Sequence, residues 1–191
     1  FSSDKTDAVV ESEMEWLNRC HINGVQFQDW HEYHDCPLVE GHSFFGSTYT
    51  DIANRTIDYS TVDHYISAQH QLGMKSIFYN LCFGVLDGYK DRGVRDEWLL
   101  YKDRNHNQKD CHDLPDSWKS DIYLANPGNE EWIEHLGNRN DYVYNKLKSD
   151  GYQIEQLGWR GTLYDYNGNE VDLPSGYAKF INRMKQRHPE K

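Results

Sequence analysis

Residues 150–161 read DGYQIEQLGWRG. Gly151 opens the segment, Tyr152 and Ile154 alternate with Gln153 and Glu155, and Gly158 breaks it. Period-two alternation bounded by glycine is the pattern of a short strand. A helical run precedes it, from Glu130 to Ser149, and another follows, from Pro174 to His188. Glu155 is therefore expected near the carboxyl end of a strand set between two helices. In α/β folds that end is where ligands bind and chemistry is done. A solvated loop acid would have the same spacing, because Asp and Glu are common at exposed positions. Spacing alone leaves both readings open.

Working outward, the same alternation of elements recurs. Ala8–Asn18 places Val9, Met14, Trp16 and Leu17 at roughly helical spacing, with Asp7 as the expected N-cap. HINGVQFQDW (21–30) suggests a strand through Ile22, Val25 and Phe27 that ends near Asp29 and Trp30. A loop is expected to about Tyr59, then a helix from Ser60 to Leu72. Ser60 would cap that helix, Asp63 would complete a capping box, and Gly73 would stop it. MKSIFYNLCFG, from Met74, reads as a second apolar strand ending near Asn80. The stretch from Val85 to Asn129 is charged and aperiodic, with a short strand expected at Asp121–Ala125.

Strands alternating with helices imply βαβ units and a parallel sheet with the helices outside. Long loops follow the strands, as in a (β/α)8 TIM barrel, whose functional loops lie there. A full barrel needs roughly 250 residues, and this chain has 191. The expectation is α/β: about three βα units, residues 1–191 forming one segment of a larger barrel whose flanking units lie elsewhere. A small open three-layer α/β domain is the rival. Exposed strand edges make self-association an expected property of such a piece.

Composition limits the function. The net charge is -11, which argues against nucleic acid and anionic membrane surfaces, since both are bound through Lys and Arg. No segment approaches the ~20 apolar residues of a membrane span. The start at Phe1-Ser-Ser-Asp has the look of a trimmed chain, so a missing leader carries no information. The chain holds 14 Tyr and 6 Trp, more rings than a core of this size hides, and exposed Tyr and Trp suit grooves for sugar rings. Cys20 and Cys82 sit in apolar-periodic segments and are expected to be buried. Cys36 and Cys111 sit in loop-like stretches, where pairing in an exported protein stays open. No cofactor motif is present.

Three blocks carry a family resemblance. HINGVQFQDWHEYHDCPL (21–38) resembles H-I-N-G-x-Q-F-Y-D-W-x-x-x-H-x-x-P-L; FYNLCFG (78–84) is similar to A-Y-N-x-x-Y-G; and DGYQIEQLGWRGTLYDYNGN (150–169) resembles D-G-W-H-I-D-Q-L-G-x-R-G-x-x-Y-D-Y-x-G. These are patterns of glycoside hydrolase family 66, the dextranases and cycloisomaltooligosaccharide glucanotransferases. The resemblance implies a (β/α)8 barrel flanked by β-sandwich domains, acting on α-1,6-glucan with retention of configuration. It implies an exported bacterial protein, secreted or held in the cell envelope or periplasm. The family's nucleophilic Asp falls on Glu155, and its general acid/base on a later strand beyond this chain, so the chain alone is expected to be inactive.

A retaining glycosidase needs two carboxyl groups about 5–5.5 Å apart, one to attack the anomeric carbon and one to protonate the leaving oxygen. The nucleophile must stay ionised, and Gln156 and Arg160 are the expected donors beside it. Glu in place of Asp moves the carboxylate by roughly one C–C bond, about 1.5 Å, and misplacement of about 1 Å can cost ~100-fold. Gln153 and Tyr152 also replace the pattern's His and Trp. A carbohydrate-binding relative with a degenerate site is therefore the alternative. Asp29, Trp30, His31 and His34 at the first strand end, and Tyr79 and Asn80 at the second, are expected to line sugar subsites. His34 has a structural reading too, a hydrogen bond to a loop. His31-x-x-His34 lacks a third ligand, so no metal is expected. Asp103-x-Asn105 and Asp165-x-Asn167 read as turns rather than calcium loops. Asn54-Arg-Thr56 is a sequon, relevant only to a eukaryotic secretory route.

Overall fold

A computed structural model describes residues 1–41 and 46–191. Helix α1 (Asp7–Arg19) begins at Thr6, whose side chain accepts from the Val9 amide. Thr6, not Asp7, is the cap: its backbone is extended, and Asp7 becomes the first helical residue, where its charge suits the helix dipole. The buried pair is Val10 and Met14, four residues apart, while Val9 and Trp16 face outward.

Strand β1 (Gly24–Phe27) follows. The expected loop to Tyr59 contains a hairpin, β2 (Thr48–Thr50) against β3 (Thr56–Asp58); its portion at 42–45 lies outside the described residues. The buried Asp51 closes the hairpin turn by accepting from the Ala53 and Arg55 amides, both at 2.9 Å. Helix α2 (Tyr59–Gln71) is capped by Asp58, which accepts from the Thr61 amide at 3.0 Å. Ser60 therefore lies inside the first turn, where its hydroxyl donates to Asp58. Gly73, at φ 72°, is the left-handed stop that the sequence predicts.

Strand β4 (Lys75–Leu81) leads into the long aperiodic stretch. That stretch is built on a small antiparallel sheet of β5 (Gly84–Val85), β6 (Cys111–His112) and β7 (Ile122–Leu124), in the order β5-β7-β6. β7 lies within the predicted strand. Asp103 accepts from the Asn105 and Gln108 amides, and Asp165 from those of Asn167 and Asn169, so both Asp-x-Asn motifs are side-chain-closed turns. Helix α3 (Glu130–Leu147), capped by Asn129, precedes β8 (Gly151–Glu155). Helix α4 (Leu173–Arg187), capped by Asp172, closes the chain.

The principal sheet is parallel, in the order β1-β4-β8. Phe27 pairs with Phe78, and Phe78 with Tyr152, so these rings share one face. On it Phe78 and Tyr152 stack with centroids 4.9 Å apart. Phe27 and Phe78 pack into a cluster with Val62 and Ile66 of α2 and Val143 and Leu147 of α3. Tyr152 also touches the second cluster, which holds Trp132 of α3, Phe180 of α4 and Leu99. The opposite face carries Gln26, Ile77, Tyr79, Gln153 and Glu155 by register. The molecule is thus mixed α/β, with helices packed on the apolar side of a parallel sheet and a polar set on the other.

The cysteines depart from expectation in one place. All four are free; Cys82 is buried, but Cys20 is exposed at the end of α1. Cys36 donates to the Leu38 carbonyl and Cys111 to Asp113, so the two loop thiols point at separate partners. Among the described residues no helix is long and apolar enough to cross a membrane.

Candidate functional site

Glu155 is the last residue of β8 and pairs with Leu81 at the end of β4. It is half-buried, and its Oε2 is enclosed without a hydrogen-bond partner. Tyr79 stands opposite Gln153, two residues before Glu155 and on the same face. That register sets the Tyr79 hydroxyl diagonally beside the carboxylate. Burial raises the Tyr79 pKa most, and the hydrogen bond and charge of Glu155 raise it further. Tyr79 therefore stays protonated beside the Glu155 carboxylate.

Asp29 follows β1 in a left-handed conformation at φ 47°, which a short polar side chain tolerates better than most. It is half-buried. Burial is the main cause of its raised pKa; Gln28 and Arg55 oppose the rise, while Asp51 and Glu155 add to it. Arg55 ties this corner together, donating to the Asp51 carboxylate at 2.6 Å and to the Asp29 carbonyl at 3.3 Å.

Trp30, His31, His34 and Asn80 are fully buried. Trp30 donates its indole N–H to the Tyr79 carbonyl at 3.2 Å, and the Tyr49 hydroxyl donates to the Trp30 carbonyl at 2.6 Å. These bonds tie the loop after β1 to β4 on one side and to β2 on the other. His31 Nε2 meets His34 Nδ1 at 2.9 Å, and His34 Nδ1 meets Asn80 Oδ1 at 2.6 Å. Asn80 in turn donates to the His34 carbonyl at 2.7 Å. Burial holds both imidazoles neutral: His34 is pushed down to about 4, with the Asn80 bond working against the drop, and His31 is lowered well below its ordinary value. His34 thus bonds to Asn80 of β4 rather than to a loop. Gly84 is what admits the ring, since a Cβ there would lie 2.8 Å from His34 Cγ.

The donors expected beside Glu155 go elsewhere. Arg160 grips Asp110 through two bonds, at 2.7 and 3.0 Å, and reaches the Cys111 carbonyl and the His112 ring. Gln156, exposed and at φ 56°, turns toward His112. Asp110 had no signal in the sequence, because its partner is fifty residues away. So the structure groups Glu155, Tyr79 and Asp29, supports them with Trp30, His31, His34 and Asn80, turns Gln156 away and uses Arg160 to anchor the following loop. Among the described residues no cluster of three or more His, Cys, Asp or Glu side chains is arranged to hold a metal ion.

This arrangement presents one carboxylate, with a tyrosine hydroxyl close by, at a strand end. Such a group can attack an electrophilic carbon or accept hydroxyl hydrogens from a polyol. Comparison with known proteins places the chain. The sequence model of Glycosyl hydrolase family 66 matches residues 1–191. A cycloisomaltooligosaccharide glucanotransferase of Niallia circulans is 29% identical over 186 residues, 97% of this chain and 19% of that protein. The chain therefore spans about a fifth of that relative's length. The crystal structure of a Paenibacillus cycloisomaltooligosaccharide glucanotransferase complexed with cycloisomaltoheptaose superposes with a TM-score of 0.91 at 30% identity, over 97% of this chain and 27% of that one. A maltogenic alpha-amylase of Thermotoga neapolitana, at 17% identity and a TM-score of 0.59 over 97% of this chain and 39% of that one, is alike in fold alone.

Proposed function

The chain belongs to glycosyl hydrolase family 66, and we propose that it is part of the catalytic barrel of an enzyme that cleaves or transfers α-1,6-linked glucan with Glu155 as nucleophile. The observation that carries this reading is the position of Glu155: the end of a parallel strand, one carboxylate oxygen enclosed and unpartnered, the Tyr79 hydroxyl alongside. Three parallel strands with helices on the apolar face and polar residues on the other support residues 1–191 as three consecutive units of a (β/α)8 barrel. In that barrel the polar face would look inward.

In the proposed mechanism the Glu155 carboxylate attacks the anomeric carbon of a glucosyl unit. A second carboxyl group, on a later strand outside these residues, protonates the departing glycosidic oxygen. The covalent glucosyl ester then breaks when water, or the 6-hydroxyl of another glucose, attacks the same carbon, and the second carboxyl group takes the proton. Water gives hydrolysis and a sugar hydroxyl gives transfer, both with retention. Tyr79 holds the attacking carboxylate by donating to it. The buried Trp30–His31–His34–Asn80 network fixes Tyr79 and the β1 corner, so the nucleophile works against a rigid wall.

The test is turnover by the longer parent protein on dextran and isomaltoheptaose, read as new reducing ends or cyclic products. Glu155→Gln is expected to abolish both while glucan binding persists. Unchanged turnover by that variant would reject the assignment. Retained binding with no turnover in the unmodified protein would favour a carbohydrate-binding relative instead, for which the Glu-for-Asp replacement is the motivation.

A further inference from the structure

At the end of the strands opposite Glu155, the core under the parallel sheet turns from apolar to polar. Val62 and Ile66 of α2 pack with Phe78 of β4. Gln69, three residues after Ile66, lies on the same face of α2. Ser76, two residues before Phe78, lies on the same face of β4. α2 runs down to the turn that starts β4, so Gln69 and Ser76 form the layer beneath Phe78. Asp150 holds the two elements together at that level. Its Oδ2 accepts from the Ser76 amide at 2.9 Å and meets Nε2 of His70, the neighbour of Gln69, at 2.8 Å. The Asp150 amide donates back to the Ser76 carbonyl at 2.7 Å.

Gln69 and Ser76 are fully buried. The Gln69 carbonyl is satisfied, accepting from the Leu72 and Met74 amides at 3.1 and 2.9 Å. Its side chain is not: among the described residues neither Nε2 nor Oε1 has a hydrogen-bond partner in the protein, and Ser76 Oγ has none either. Ser149, beside Asp150, adds another buried hydroxyl of the same kind. Buried polar groups left unpaired are costly, and native cores pair nearly all of them. The burial is made by α2 and β4 themselves, and further chain packed around them can only deepen it.

The atoms define what fits between them. Gln69 Nε2 must meet an acceptor and Gln69 Oε1 a donor, while the Ser76 hydroxyl takes either role. A metal cation cannot accept from the amide N–H, and an anion cannot donate to Oε1. Water does both, and it is held inside proteins by two to four polar groups of this kind. A serine at the level below a phenylalanine leaves the room. We propose that Gln69 and Ser76 hold a buried water molecule, an internal hydration site that bonds the foot of α2 to the foot of β4. The site adjoins the start of β8, whose register on β4 sets Gly151 opposite Ile77 and Glu155 opposite Leu81. It does not depend on which residue is the nucleophile.

The experiment is the crystal structure of the longer parent protein, unmodified and as Gln69→Met, from crystals that show ordered water and are grown with rubidium in place of sodium and potassium. The expected result is one density peak at about 2.7–3.2 Å from the Gln69 amide and from Ser76 Oγ, with no anomalous signal from rubidium. The peak should vanish in Gln69→Met, whose flexible thioether fills the space without polar atoms to hold water. Ser76→Ala removes one partner only and should weaken the peak, and it carries the test where Gln69→Met does not fold. A direct Gln69–Ser76 bond with no peak between them overturns the site. A rubidium signal there, or a peak unchanged in either variant, does so equally.

Discussion

The Tyr79 hydroxyl faces the Glu155 carboxylate across two adjacent parallel strands, a placement set by the pairing of Tyr79 with Gln153. Tyr79 is fixed from behind, since its carbonyl accepts the Trp30 indole N–H at 3.2 Å. Tyr79→Phe keeps the ring and removes only the hydroxyl. In the parent enzyme this variant is expected to lower kcat/KM by roughly 10- to 100-fold, the cost of losing one well-aimed hydrogen bond at a reacting group. Thermal stability should hardly change. Equal kcat/KM in the variant would show that Tyr79 does not position the nucleophile.

Stability should fall with acid between about pH 6.5 and 4. His34 is buried, and its pKa is pushed down to about 4 from 6.5. Over that window the unfolded chain binds a proton that the folded chain refuses, so unfolding becomes easier as pH falls. His34 alone accounts for a loss of roughly 3 kcal/mol by pH 4, and His31 shifts the same way. Urea midpoints from pH 7 to 4 test this, with His34→Gln expected to flatten the slope. A midpoint independent of pH across that range would contradict the neutral, buried pair.

Gly84→Ala should destabilise the chain by about 1–3 kcal/mol, the range for overpacking a filled core. The new methyl would meet three His34 side-chain atoms at 2.8 to 2.9 Å, and that ring is pinned by His31 and Asn80 and has no room to withdraw. Denaturant midpoints measure the change. A neutral result would mean that the loop holding His34 gives way more easily than its hydrogen bonds indicate.

Arg160 is expected to be a stability residue rather than a partner of Glu155. Removing it in Arg160→Met leaves the Asp110 side chain, 4% exposed, without its counter-ion, at a cost of about 3–5 kcal/mol. In a double-mutant cycle Asp110→Asn should recover much of that loss. Additive losses would indicate that the two side chains do not share one interaction.

Much of the fold is legible along the chain because its signals are local. The alternation of Tyr152 and Ile154 with Gln153 and Glu155, between Gly151 and Gly158, marks β8, and the apolar run from Met74 marks β4. Helix caps are harder to read. Thr6 and Asp58 displace Asp7 and Ser60 because a cap is chosen by backbone angle as well as residue type. The β2–β3 hairpin was hidden because three-residue strands carry no periodicity. At the site, residue types at strand ends pointed to Asp29, Tyr79 and Glu155. Their neighbours could not be sorted into wall and support in that way. Trp30 and His34 bond to partners on β4, more than forty residues away, His31 is held through His34, and Arg160 is claimed by Asp110. Polar residues near a strand end look alike until the chain folds back on them.

The most direct test of the central claim is covalent labelling of the parent enzyme with an epoxide-bearing isomaltooligosaccharide, followed by peptide mapping. The account predicts a single adduct on the peptide carrying residues 150–160, placed on Glu155 and absent in Glu155→Gln. An adduct on another carboxylate, with dextran still cleaved, would contradict it.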